Sequence, residues 1–129
     1  MQKRILVVED DENIVKALGV RLRSKGYDVV VSYDAVMGMQ KAMEQPPDLI
    51  ILDIMMPGGN GVTLAERLQH SSKTGQIPII FMTASKQCEL RTKAHDLGAV
   101  GFFEKPFDFG ELLATVRAAL EHPSVCLAE

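Results

Sequence analysis

Cysteine is scarce in this 129-residue sequence, long apolar runs are absent, and the net charge is only −3; each absence excludes a class of protein. The two cysteines, Cys88 and Cys126, have neither metal-ligand nor redox spacing. They read as reduced thiols, which implies a cytoplasmic protein, and Cys88 reads as a small packed side chain rather than a reactive one. No stretch has the apolar length of a membrane span. Met1-Gln2-Lys3-Arg4 is basic, but the apolar run Ile5 to Val8 is short and acid follows it, so no secretory signal is expected. The small negative charge offers no basic surface for nucleic acid as a direct partner. There is no low-complexity segment, internal repeat or inner linker. The reading is one domain over residues 1–122, with 123–129 as a tail or the start of a linker. At 47% hydrophobic and 24% charged residues, the chain fits an ordinary soluble globular domain able to bury a core.

What is present is a repeating pattern. Five short apolar runs stand out: Ile5 to Val8, Val29 to Val31, Leu49 to Leu52, Ile77 to Met82 and Val100 to Phe103. They are continuous rather than alternating, as strands buried on both faces read. Each is followed by helical spacing: Ile14, Leu18 and Leu22; Val36, Met39 and Met43; Leu64 and Leu68; Leu90, Ala94 and Leu97; Leu112, Val116 and Leu120. Gly26 and Gly98 stand where helix C-caps belong, and Asp108 with Glu111 reads as a capping box. Gly38, inside the second helix, contradicts the pattern at about 1 kcal/mol relative to alanine. Five strand–helix units predict an α/β fold: a (βα)5 doubly wound parallel sheet, order 2-1-3-4-5, as a flavodoxin-like three-layer sandwich. Such folds bind ligands beyond the carboxyl ends of the strands, where strands 1 and 3 meet.

Polar residues collect at those ends. Glu9, Asp10 and Asp11 follow the first strand, Asp53 closes the third, Thr83 closes the fourth, and Lys105 with Pro106 follows the fifth. Singly, each has a bland reading: helix-start charge, a turn residue, a cap, a loop lysine. Together they would emerge at one edge of one sheet. Carboxylates packed so closely make sense around a hard divalent cation such as Mg²⁺. A carboxylate also acts as a nucleophile toward phosphorus, and phosphoryl transfer needs positioning and charge neutralisation more than proton transfer. An ammonium and a hydroxyl for the phosphoryl oxygens are both present.

Ile5-Leu6-Val7-Val8-Glu9-Asp10-Asp11, Asp53-Ile54-Met55-Met56-Pro57 with Gly61 beyond, Thr83-Ala84 and Lys105-Pro106-Phe107 together resemble the receiver domain of bacterial response regulators, the CheY-like family. The likeness runs from about Arg4 to Leu120. It implies a phospho-acceptor switch rather than an enzyme acting on other substrates. Asp53 would be phosphorylated by a sensor histidine kinase or a histidine phosphotransfer protein. Asp10, Asp53 and the backbone carbonyl of Met55 would hold Mg²⁺, with Glu9 acting through water; Mn²⁺ or Ca²⁺ could substitute. Thr83 would be the switch hydroxyl, Lys105 the lysine that pairs with the phosphoryl group, and Phe102 the switch aromatic. Phe103 reads as core, Asp11 as a helix-start residue, and Lys105-Pro106 as a cis peptide.

The resemblance places output on the helix 4–strand 5–helix 5 face, toward an output domain or a downstream protein. Glu89, Arg91 and Glu111 fit the charged pattern of the family's symmetric dimer. Val100, Gly101 and Thr115 stand where acidic, acidic and basic residues would be expected. A monomer or weak dimer is therefore expected. Rival readings are a flavodoxin-like carrier, which the acidic first loop disfavours; a dehalogenase-type phosphatase, which would want an aspartate at Met55; and a pseudo-receiver.

Overall fold

The computed structural model describes residues 2–56, 59–84 and 88–121. The main elements alternate: β1 (Arg4–Val8), α1 (Glu12–Ser24), β2 (Asp28–Ser32), α2 (Ala35–Glu44), β3 (Leu49–Asp53), α3 (Gly61–His70), β4 (Ile79–Thr83), α4 (Cys88–Asp96), β5 (Gly101–Glu104) and α5 (Phe109–Glu121). The five strands form one parallel sheet in the order β2-β1-β3-β4-β5, the predicted 2-1-3-4-5. A two-residue antiparallel ladder, Met55–Met56 with Gly59–Asn60, follows β3 and has no counterpart in the sequence reading.

Continuous apolar runs suit this sheet because both faces are covered. On one face Leu6, Val8, Ile50, Leu52 and Phe81 pack with Ala42, Leu64, Leu68 and Ala94 from α2, α3 and α4. On the other, Ile5, Val7, Ile51, Ile80 and Met82 pack with Leu18, Leu22, Leu112 and Val116 from α1 and α5. Alternate residues of each strand feed opposite layers, as the pleat requires.

Local chemistry sets the boundaries. Asp11 caps α1: its Oδ1 accepts from Asn13 N at 2.9 Å and Ile14 N at 3.4 Å, so its helix-start reading holds. Gly26 (φ 91°) and Gly98 (φ 76°) adopt the left-handed conformation in which other residues are strained. Asp108 opens α5, its Oδ1 accepting from Gly110 N at 2.7 Å. Two expectations need correction. The fourth strand runs Ile79–Thr83 rather than from Ile77, because Pro78 has no N–H for a ladder and Ile77 N closes a turn onto Thr74 O at 3.1 Å. Val36 does not face the core; it is 71% exposed, and α2 turns Gly38 and Ala42 inward instead. Gly38 thereby ceases to be an anomaly. A Cβ there would lie 3.1 Å from Val8 Cγ2 and 3.4 Å from Leu64 Cδ2, so the glycine allows α2 to approach the sheet.

The predicted tail 123–129, Cys126, Pro57 and the Cys88 side chain lie outside the described residues. Among the described residues, no helix is long and apolar enough to cross a membrane.

Candidate functional site

Strand register builds this site. Val8 pairs with Ser32 on one side and with Leu52 on the other, so Glu9 and Asp53 emerge side by side one residue further on. Glu9 N is anchored to Ser32 O at 3.0 Å, and Ile54 N to Met82 O at 2.9 Å, which fixes the ends of β1 and β3. Glu9 is wholly buried, Asp53 is 3% exposed and Asp10 is exposed at the rim. Carboxylate oxygens of Glu9, Asp10 and Asp53 all lie within 4.8 Å of one another.

Lys105 enters from the end of β5. Its Nζ lies 2.5 Å from Glu9 Oε1 and 3.1 Å from Asp53 Oδ2. Lys105 N also donates to Thr83 O at 2.8 Å, tying this loop to the end of β4. The Lys105–Pro106 bond is cis, as the resemblance implied. Asp53 is gripped from the other side as well, its Oδ1 accepting from Met55 N at 3.1 Å. Glu9 Oε2 accepts from Asp11 N at 3.1 Å.

The electrostatics are those of an acidic cluster with too little positive charge. Burial pushes the Glu9 carboxyl up; the Lys105 hydrogen bond opposes that shift without cancelling it, and Asp53 adds to it. Partial desolvation and the neighbouring Glu9 raise Asp10 too. Burial alone would lower the Lys105 ammonium, but the carboxylates of Glu9 and Asp53 outweigh burial and hold it above its ordinary value. Three hard-oxygen side chains converging on one small volume fit a divalent cation, whose charge would relieve this repulsion.

Two further residues lie on the α4 side of the sheet. Thr83 is fully buried at the end of β4. Phe102 sits opposite Phe81 in the β4–β5 register and is half-buried against the layer containing Phe81 and Ala94. Phe103 points the other way, into the second layer and toward the Phe107 ring (centroids 6.2 Å apart), so its core reading holds.

Gly61 is a positional requirement whose reason the sequence did not give. A Cβ there would lie 2.4 Å from Asp53 O and 2.9 Å from Ile54 Cα. Only glycine lets the start of α3 pass this close to the backbone carrying Asp53. Glycine at this place after the aspartate was the available signal; the contact behind it is tertiary. At Gly101 the close neighbour is a side chain rather than backbone: a Cβ would lie 2.9 Å from Thr115 Cγ2. Two of the departures from the dimer charge pattern are thus packed on each other.

The chain matches the response regulator receiver domain family over residues 5–117. It is 39% identical over 117 residues to the DNA-binding dual master transcriptional regulator RpaA of Synechocystis, covering 91% of this chain and 48% of that protein. It is 38% identical over 117 residues to the response regulator ArlR of Staphylococcus saprophyticus, covering 91% of this chain and 52% of that one. The chain therefore spans about half the length of these curated relatives. Among solved structures, a CheY-like response regulator receiver domain protein from Methanospirillum hungatei superposes with a TM-score of 0.89 at 26% identity, covering 96% of this chain and 98% of that one.

Proposed function

The chain belongs to the response regulator receiver domains of two-component signalling, and we propose that Asp53 is its phosphoryl acceptor. The observation that carries this reading is the grip on a nearly buried Asp53, with Met55 N on one oxygen and Lys105 Nζ on the other, inside a cluster of three carboxylates. A structural aspartate would not need two further carboxylates at its side.

The donor is a phosphohistidine on a sensor kinase or phosphotransfer protein. An Asp53 oxygen attacks phosphorus, the P–N bond breaks, and the electron pair leaves on the imidazole nitrogen. Asp10, Asp53 and the Met55 carbonyl would hold Mg²⁺ (Mn²⁺ or Ca²⁺ in its place), with Glu9 acting through water; the ion supplies neutralisation of the phosphoryl oxygens. Lys105 is already at Asp53 Oδ2, and its ammonium can turn from the carboxylate to a phosphoryl oxygen. The Thr83 hydroxyl donates to another, and Phe102 follows into the space beside it. The chain thus acts as a switch that catalyses only its own phosphorylation and dephosphorylation. The α4–β5–α5 face passes the change to an output domain or a partner protein. Membrane and nucleic acid play no direct part, the setting is the cytoplasm, and the domain works as a monomer or weak dimer. Beside Lys105 an apolar groove lined by Ile14, Leu18, Pro106, Phe107 and Phe109 offers the donor protein a surface reaching to the pocket.

Intact-mass measurement tests the assignment. With acetyl phosphate and Mg²⁺ the chain gains one phosphoryl group, labile to hydroxylamine, and Asp53→Asn abolishes the gain. Persistence of the adduct in that variant would overturn the reading.

A further inference from the structure

One contact on the α4–β5 face is not used by the acidic pocket. In the β4–β5 register Phe102 lies opposite Phe81 and Glu104 opposite Thr83. Residues two apart on a strand share a face, so Phe102 and Glu104 both stand on the side that α4 covers. Arg91 comes down from α4 onto both. Its guanidinium lies over the Phe102 ring, 4.6 Å from the centroid, and its Nη2 is 3.4 Å from Glu104 Oε1. One side chain thus ties the helix to the strand directly beside Thr83.

The contact is not enforced by apolar packing. The Arg91 side chain is 58% exposed and that of Glu104 41%. Breaking it leaves no cavity, so it can be made in one state and lost in another. It also occupies the one residue of the expected dimer charge pattern that lies on Phe102.

We propose that Arg91 is a latch on the phosphorylation switch, pinning Phe102 in its half-buried position and holding α4 against β5 until Asp53 is phosphorylated. The proposal rests on Asp53 as acceptor. For the ring to move toward Thr83, it must leave the guanidinium, and any shift of α4 along β5 stretches the pair with Glu104. The latch therefore contributes to one state only, the condition for biasing a two-state equilibrium. A solvent-exposed cation–π contact with an exposed ion pair shifts such an equilibrium by about three- to fivefold.

The full chain, labelled with fluorophenylalanine, is titrated with beryllium fluoride in excess Mg²⁺ and followed by ¹⁹F NMR. The Phe102 resonance is assigned by its loss in Phe102→Tyr. Arg91→Met removes the guanidinium and keeps the stem; Glu104→Gln removes only the ion pair. Half-saturation is expected at about three- to fivefold less beryllium fluoride in Arg91→Met and about twofold less in Glu104→Gln. The double variant should match Arg91→Met, because Glu104 acts through Arg91. A merely structural Arg91 would lower the urea midpoint of the metal-free chain and leave the titration unmoved. Titrations that superimpose on wild type, or shift to higher concentration, overturn the latch alone. A wild-type chain that takes up no beryllium fluoride overturns the Asp53 reading and the latch with it.

Discussion

Helices α4 and α5 flank the same edge strand, and they are held to it by different physics. From α5, Leu112, Leu113, Val116 and Ala119 are buried, a continuous apolar stripe of one side chain per turn or more. Among the described side chains of α4, Ala94 alone is fully buried, Leu90 is half-buried and the rest are polar and exposed. Arg91 adds a polar contact to this hold, meeting Phe102 and Glu104 on β5. Apolar burial gives α5 several kcal/mol that no local charge can offset, whereas α4 is tied by terms of about 1 kcal/mol or less. A segment that must change position is drawn from the weakly held end of a structure. Of the two neighbours of β5, only α4 meets that condition.

The most direct way to break this comparison is truncation. Leu112→Ala should cost about 3 kcal/mol of stability in urea denaturation, and Leu90→Ala about 1 kcal/mol, since a half-buried leucine leaves a smaller void. Amides of α4 should also exchange with solvent faster than those of α5; equal costs and equal exchange would refute the asymmetry. The acidic pocket supplies the next test. Gly61→Ala should lose about 1–3 kcal/mol, because the new Cβ collides with the Asp53 backbone. Acetyl phosphate should also label this variant more slowly than Gly110→Ala, an exposed glycine, if the approach of α3 positions Asp53.

A third expectation concerns pH. The folded chain holds protons on Glu9 and Asp10 at pH values where the unfolded chain has released them, because their carboxyls are raised. Folding then binds protons, so stability falls as pH rises through that window and is lower at neutral pH than at mildly acidic pH. Lys105, also raised, retains its stabilising charge through this range and loses it only in strong alkali. Urea midpoints of metal-free protein should therefore rise on mild acidification, and Mg²⁺ should remove most of the difference; a midpoint that falls on acidification contradicts the electrostatic account. The smallest effect is expected at Glu89, exposed on α4: Glu89→Ala should change stability by no more than about 0.5 kcal/mol.

Much of this is legible in the sequence. Continuous Val- and Ile-rich runs are what strands covered on both faces need, so the sheet and its five helices followed from pattern, and strand order followed from the commonest solution for such units. The convergence of Glu9, Asp10, Asp53 and Lys105 followed too, because residues at the carboxyl ends of parallel strands share one edge whatever the helices do. Close approach was not legible. Gly38 read as a defect, and it is the point where α2 touches Val8 and Leu64. Gly61 read as part of a pattern, and it is the point where α3 passes Asp53. Val36 fitted the helical spacing and faces solvent, because one apolar residue per turn does not say which flank of a short helix meets the sheet.

The sequence by itself determined the alternation of strands and helices, the edge at which the charged residues collect and the chemistry they can support, since these depend on residue type and local period. The tertiary structure alone decided which oxygen of Asp53 meets Lys105, why Gly61 must be glycine, how closely α2 meets the sheet at Gly38, and that Arg91 spends its charge within the chain on Phe102 and Glu104. Those are distances between residues far apart in sequence, and no local period encodes them.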